Sequence, residues 1–218
     1  AHEIKNPLTP IKLTLDRMKS KYINQMDENE KINFQDNLKI IDNQIKQIGN
    51  LVNEFSDFAR MPKPILKKVN FNELLEKSIN LHKLAETNIN FILLKNKTLS
   101  FFNCDEKQFN RVFINLIKNS IESIKEKKIK NVDFKGKINI EIKDDRDYIY
   151  VTIIDNGLGF DRVDKKKMLT PYYTTKQKGT GLGLSIVSKI VSDHNGTISF
   201  NSIKEGAKVE IILPKNLW

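Results

Sequence analysis

Four short stretches of this chain hold residue types whose spacing suits chemistry. The run Lys178-Gly179-Thr180-Gly181-Leu182-Gly183-Leu184-Ser185 leads straight into an apolar helical pattern. Alternate glycines let backbone N–H groups approach phosphate oxygens, and a helix N-terminus adds partial positive charge. A dinucleotide-binding loop would need a strand immediately before this run and a parallel βαβ unit after it, and the sequence offers neither. Upstream, Asp155-Asn156-Gly157-Leu158-Gly159 follows directly on a strand pattern. A carboxylate there, beside a turn made permissive by glycine, can accept a hydrogen bond from an exocyclic amine such as that of adenine. The same residues also suit a plain Asx turn.

Asn115 and Asn119 lie four apart on a helical pattern, on the flank of its apolar stripe rather than its back. Amide oxygens that border a cleft can ligate Mg²⁺, a hard cation that takes oxygen donors and keeps waters and substrate phosphates around it. At the start of the chain, a wheel of about 100° per residue gathers Ala1, Ile4, Leu8, Ile11, Leu15, Met18 and Tyr22 on one side. His2 falls nearly opposite, with Asn6 and Thr9 beside it at i+4 and i+7. Pro7 removes the backbone bond to Glu3 and should bend the axis there. Taken without the rest of the chain, His2 reads as a surface histidine beside an asparagine.

These stretches must be positioned by elements of two kinds. The apolar residues Phe34, Leu38, Ile41, Ile45, Ile48, Val52, Phe55 and Ala59 alternate steps of four and three, a heptad seam rather than one face of a globular helix. With the first helix and a polar turn over 22–33, this makes a helical hairpin. Two helices cannot bury such a seam alone, so a second copy is expected to complete a four-helix bundle as a homodimer. Met61-Pro62-Lys63-Pro64 ends the hairpin. The expected domains are 1–60, a linker over 61–66, and 67–218. Beyond the linker the patterns predict helices over 71–84, 105–127 and 184–194, with Asn70 as an N-cap. Strands are expected over 90–95, 99–102, 138–142, 148–154, 197–201 and 208–213. Helices and antiparallel strands in this order imply an α+β sandwich with helices on one sheet face.

Composition bounds the reading. The chain has 218 residues, enough for one large or two small domains, and one cysteine, Cys104, so an internal disulfide framework is excluded. No apolar run approaches the roughly 20 residues of a spanning helix, so no membrane contact is expected in this piece. The net charge of +10 comes from lysines spread among Asn and Ile without an aromatic platform, which argues against nucleic-acid binding. The chain opens without Met inside a helical pattern and is read as a cytoplasmic fragment. The parent's sensor and any inner-membrane anchor are expected upstream of Ala1.

The four stretches together resemble the sensor histidine kinases of two-component systems. Ala1-His2-Glu3-Ile4-Lys5-Asn6-Pro7-Leu8-Thr9-Pro10 is similar to their H-box, and Asn115-Leu116-Ile117-Lys118-Asn119 to their N-box. Asp155 to Gly159 resembles the first glycine box and Gly179 to Leu184 the second, in the family's order. Leu169-Thr170-Pro171-Tyr172-Tyr173-Thr174-Thr175-Lys176 is most similar to the nitrogen-regulation (NtrY-type) branch. Leu169 and Tyr172 stand where many relatives carry Phe, and Glu122 where some carry a phosphate-contacting Lys.

The resemblance implies a phosphoacceptor hairpin joined to a Bergerat-type (GHKL) ATP-binding domain. It implies that His2 takes the γ-phosphoryl of ATP while Glu3 orients the ring and accepts its proton. Asn119 would ligate Mg²⁺, with Asn115 supporting the phosphates. Asp155 would read the adenine amine, flanked by Gly157 and Gly159. Gly179, Gly181 and Gly183, with Thr180 and Leu182 between them, would shape the phosphate side of the lid, where Lys176 could meet the γ-phosphate. The implied partner is the receiver domain of a response regulator, and Asn6 with Glu3 would serve dephosphorylation of that partner.

Two other readings compete. ATPases of the same superfamily carry a water-activating Glu four residues before the metal-binding Asn, where this chain has Asn115. A nucleotide-binding dimeric scaffold without phosphotransfer would not need His2. Elsewhere, His82 reads as a boundary packing residue, His194 as a helix cap before Asn195-Gly196, Cys104 as a semi-buried filler, and Lys165-Lys166-Lys167 as a solvated face.

Overall fold

The computed structural model describes residues 2–96, 101–160, 167–174 and 179–215, with side chains from residue 6 onward. The chain divides into two compact units, Ala1–Met61 and Pro62–Trp218.

The first unit is a helical hairpin. Helix α1 (His2–Tyr22) runs through both Pro7 and Pro10, whose rings deprive the carbonyls of Glu3 and Asn6 of their helical donors. A 3₁₀ turn, Ile23–Gln25, leads to α2 (Glu28–Ala59). The second helix starts earlier than its polar composition predicts. Asp27 accepts the N–H of Glu30 at 2.8 Å, and the Glu30 carboxylate accepts the N–H of Asp27 at 3.3 Å, a reciprocal capping box. The polar residues over 28–33 are therefore outward-facing first turns of a helix rather than a loop.

The heptad seam divides into two rows. Leu38 and Val52 are buried, and Phe34 and Ile45 half-buried, within the hairpin. Ile41, Ile48 and Phe55, spaced by seven, are each more than 40% exposed in the single chain. On α1, Leu8 and Leu15 are half-buried while Ile11 and Met18 are exposed.

In the second unit, β1 (Lys67–Val69) pairs antiparallel with β3 (Phe102–Cys104). Neither the pairing nor β1 is expected from sequence, and β3 ends two residues beyond the predicted 99–102, of which residues 99 and 100 lie outside the described residues. Cys104 is fully buried there rather than semi-buried. Helix α3 (Phe71–Ala85) is capped by Asn70, which accepts the N–H of Glu73 at 3.2 Å. Strands β2 (Ile89–Leu94), β4 (Gly136–Asp144), β5 (Tyr148–Asp155), β6 (Thr197–Ile203) and β7 (Gly206–Pro214) form one sheet in the order β2-β4-β5-β7-β6. The sheet is mixed: β2 pairs parallel with β4, and the other pairs are antiparallel. The long helix between β2 and β4 supplies the crossover that a parallel pair requires.

That helix is α4 (Glu106–Lys130), which packs on α3, β4, β5 and on α5 (Gly183–Asp193). Its stripe Phe109, Val112, Phe113, Leu116, Ile117, Ser120, Ile121 and Ile124 is buried in full, as the period predicts. Phe71 meets Phe102, Phe109 and Phe113 edge-on at ring distances of 5.3 to 5.5 Å, anchoring α3 to α4. Helices on one face of a sheet are what the α+β patterning predicts.

Candidate functional site

Strand periodicity places the first polar group. Along β5, Ile149, Val151 and Ile153 point inward, and the next inward position is Asp155, in register with Ile138 of β4. A carboxylate thus enters the edge of the apolar core, 4% exposed. Burial pushes the Asp155 carboxyl above its ordinary value. The N–H groups of Gly157 and Ala207, the Ser120 hydroxyl and the charge of Lys127 oppose that push. The Gly157 N–H donates to Asp155 Oδ1 at 2.9 Å.

The turn after Asp155 lies flat against α4. A Cβ at Gly157 would meet Ser123 Oγ at 2.3 Å and the Ser123 backbone at 2.8 Å, so only glycine permits this approach. The Leu158 N–H donates to Ser123 Oγ at 2.9 Å. Gly159 backs onto the carbonyl of Gly206, the residue that opens β7.

Earlier along α4, Asn115 and Asn119 are both half-buried. Asn115 Nδ2 donates to the Arg111 carbonyl at 2.9 Å. Its Oδ1 faces Gly183, where a Cβ would come within 3.1 Å. Gly183 is the first residue of α5, whose N-cap, Leu182, is buried and provides no side-chain cap. The first-turn N–H groups of α5 therefore lie beside an amide oxygen and carry the partial positive charge of a helix N-terminus. Oxygen-only donors next to an anion-attracting helix end fit a Mg²⁺ ion carried with nucleotide phosphates.

The loop before α5 is partly described. Tyr172 and Gly181 both have left-handed φ, 69° and 71°, and the Tyr172 N–H donates to the Gly181 carbonyl at 3.1 Å. A Cβ at Gly181 would strike the Tyr172 backbone at 2.4 Å. The Leu182 N–H donates to Thr180 Oγ1 at 3.4 Å, and Gly179 is exposed. Met168 is buried, while Lys167 is exposed. Lys176 lies outside the described residues, as do Lys165 and Lys166. Glu122 is within 4.0 Å of Lys118 on the same helix.

On the hairpin, His2 and Glu3 occupy the first turn of α1, and their side chains lie outside the described ones. Asn6 and Thr9 are exposed. The two other histidines are structural. His194 is 1% exposed, caps α5 and uses both ring nitrogens on backbone groups. His82 is half-buried, and burial lowers its pKa.

Sequence reading missed three contributors to the Asp155 turn. Ser120 is counted there only as a member of the apolar stripe, and Ser123 and Lys127 are not singled out. Their i, i+3, i+7 spacing on one helix face is the signal that could have found them.

Residues 1–64 match the His Kinase A (phospho-acceptor) domain. Residues 104–217 match the histidine kinase-, DNA gyrase B-, and HSP90-like ATPase family. The chain belongs to the sensor histidine kinases. It is 35% identical over 208 residues to nitrogen regulation protein NtrY of Azorhizobium caulinodans, covering 94% of this chain and 26% of that protein. It is 39% identical over 212 residues to a putative NtrY-like sensor histidine kinase of Rickettsia prowazekii, covering 97% of this chain and 34% of that protein. The chain thus spans about a quarter to a third of the length of these relatives.

Among solved structures, histidine kinase ThkA in complex with response regulator protein TrrA matches with a TM-score of 0.70 at 28% identity. That match covers all of this chain and 60% of ThkA. The isolated ThkA catalytic domain matches 69% of the chain at 30% identity, with a TM-score of 0.60. This sensor-kinase chain is therefore a helical N-terminal region followed by a GHKL-type ATPase domain, with its likeness strongest to the NtrY-type branch. No described helix is long and apolar enough to cross a membrane.

Proposed function

We propose that this chain is the phosphotransfer core of a two-component sensor kinase, with His2 as phosphoacceptor and residues 67–218 as the ATP-binding domain. An imidazole nitrogen of His2 attacks the γ-phosphorus of ATP in line. The N–P bond forms as the Pγ–O bond to ADP breaks, and the imidazole proton passes to Glu3. Asp155 accepts the adenine amine, and the Gly157–Gly159 backbone turns around the base. Gly179, Thr180, Gly181, Leu182 and Gly183 shape the phosphate end, where the α5 N-terminus offsets negative charge and Lys176 meets the γ-phosphate. Asn119, with Asn115 beside it, would hold Mg²⁺, whose chemistry is to offset charge on the phosphate oxygens.

The phosphoryl group then passes to an aspartate of a response-regulator receiver domain, and Asn6 with Glu3 supports the reverse dephosphorylation. Residues 1–60 dimerise: the exposed rows Ile11 and Met18 on α1, and Ile41, Ile48 and Phe55 on α2, are the faces a second copy would cover in a four-helix bundle. Residues 61–66 link the two domains, and this core works in the cytoplasm.

The observation that carries the proposal is Asn115. Its amide bonds Arg111 and faces the start of α5. An amide is no general base, so the position that activates water in related ATPases cannot do so here, and transfer to a side chain remains. Radiolabelled ATP with Mg²⁺ tests it. The chain should acquire acid-labile, base-stable label that is absent from His2→Gln. Steady phosphate release by both proteins would instead indicate an ATPase, and nucleotide binding without label or release a scaffold.

A further inference from the structure

The Asp155 turn is held by a polar ladder on one face of α4. Ser120 bonds the Asp155 carboxylate, Ser123 accepts the Leu158 N–H, and Lys127 Nζ donates to the Asn156 carbonyl at 2.7 Å. The Lys127 ammonium also sits 4.6 Å from the centroid of the Phe134 ring, in the segment that follows α4. This ring limits where the ammonium can go.

Asn156 itself is fastened to the start of β4 and the residue before it. Its Nδ2 donates to the Lys135 carbonyl at 2.9 Å, its Oδ1 accepts the Lys137 N–H at 2.8 Å, and its own N–H donates to the Lys137 carbonyl at 3.3 Å. The start of β4 thus fixes the Asn156 side chain and N–H, and Lys127 holds the carbonyl of the peptide that joins Asn156 to Gly157. The next N–H along, that of Gly157, is the one that orients the Asp155 carboxylate. Lys127 acts on Asp155 through one peptide unit and through its positive charge.

We propose that Lys127 is a positioning residue for adenine selectivity, fixing the Asn156–Gly157 peptide so that the Asp155 carboxylate is oriented toward the exocyclic amine of the base. Lys127 does not itself read the base. This inference rests on the adenine role proposed above for Asp155. Because the effect runs through an amine contact, it applies to ATP and not to inosine triphosphate, which carries an oxygen in place of the amine.

The test is the ratio of ATP to inosine triphosphate affinity, measured by calorimetry on the full 218-residue chain. Lys127→Met should weaken ATP binding by about fivefold to tenfold, the net scale of one ordinary hydrogen bond. Inosine triphosphate binding should stay within about twofold, and Lys127→Arg should restore the ratio. Circular dichroism checks folding, and Lys127→Gln replaces Lys127→Met if the latter is unfolded. Equal weakening of both nucleotides, or of neither, overturns the proposal, as does unfolding of both variants, which would assign Lys127 to the fold. Asp155→Asn separates the two layers of the argument. If it leaves the ratio unchanged, the adenine reading fails and this inference with it. If it lowers the ratio while Lys127→Met does not, this inference alone fails.

Discussion

His194 Nε2 accepts the backbone N–H of Asp105 at 3.1 Å while its Nδ1 bonds the Ile190 carbonyl at 2.8 Å. One neutral ring thereby joins the C-terminus of α5 to the N-cap of α4. The same Asp105 accepts the Ile65 N–H at 2.9 Å through its other carboxylate oxygen from the one that caps Gln108. The two helices that carry the site are tied at the end opposite the Asp155 turn. Phe109 closes the contact, its ring 4.7 Å from the imidazole.

This arrangement makes stability depend on pH with a definite sign. Burial holds the His194 pKa below its ordinary 6.5, outweighing the bond to Ile190 and the charges of Asp105 and Asp193. The unfolded chain therefore binds a proton at pH values where the folded ring stays neutral. The contribution is fully present above the ordinary value and is lost as pH falls from there toward the folded pKa. Thermal midpoints should decline between about pH 7.5 and 5. Part of that decline should vanish in His194→Gln, the remainder belonging to His82, which burial lowers likewise. At neutral pH, His194→Leu should cost about 1–3 kcal/mol by stranding the Asp105 N–H. An identical pH slope in His194→Gln would remove the ring from this account.

Gly157→Ala should damage the nucleotide end of the domain. The added methyl would meet both the side chain and the backbone of Ser123, so the turn must lift off α4. A loss of about 1–3 kcal/mol in stability is expected, the range for overpacking, together with weakened ATP binding. Ser123→Ala should rescue it only in part, because the contact at 2.8 Å to the Ser123 backbone remains. Thermal melts and nucleotide titration of the single and double variants check this.

Two positions four residues apart on α2 should behave differently. Ile48 is 44% exposed in the single chain, whereas Val52 is 5% exposed within the hairpin. Ile48→Glu should leave helicity intact and convert a dimer to monomer, read by sedimentation at tens of micromolar, roughly where obligate dimers persist. Val52→Glu should instead reduce helicity, since a buried unpaired carboxylate is costly. A wild-type chain that sediments as monomer under those conditions would refute the dimer.

Much of the site was legible because chemistry and periodicity coincide there. The period of two along 149, 151, 153 and 155 turns Asp155 inward, and the period of 3.6 along α4 puts Asn115 and Asn119 on the flank of a buried stripe. The start of α2 is not legible in the sequence, because Asp, Glu and Asn suit exposed first turns as well as loops. Only the reciprocal Asp27–Glu30 bonds separate the two cases.

What the sequence determined by itself is whatever depends on near neighbours along the chain: the heptad seam, the stripe of α4, the alternation of the strands and the glycine runs. Tertiary structure decided the rest. The parallel β2–β4 pair, the β1–β3 ribbon, the burial of Cys104 and the seat of Gly157 on Ser123 join residues tens of positions apart, and no local period records which distant surface will lie alongside. Lys127 illustrates the divide. Its place on the helix face is readable from spacing, but its bond to Asn156 exists only because the sheet brings the end of β5 back to the last turns of α4.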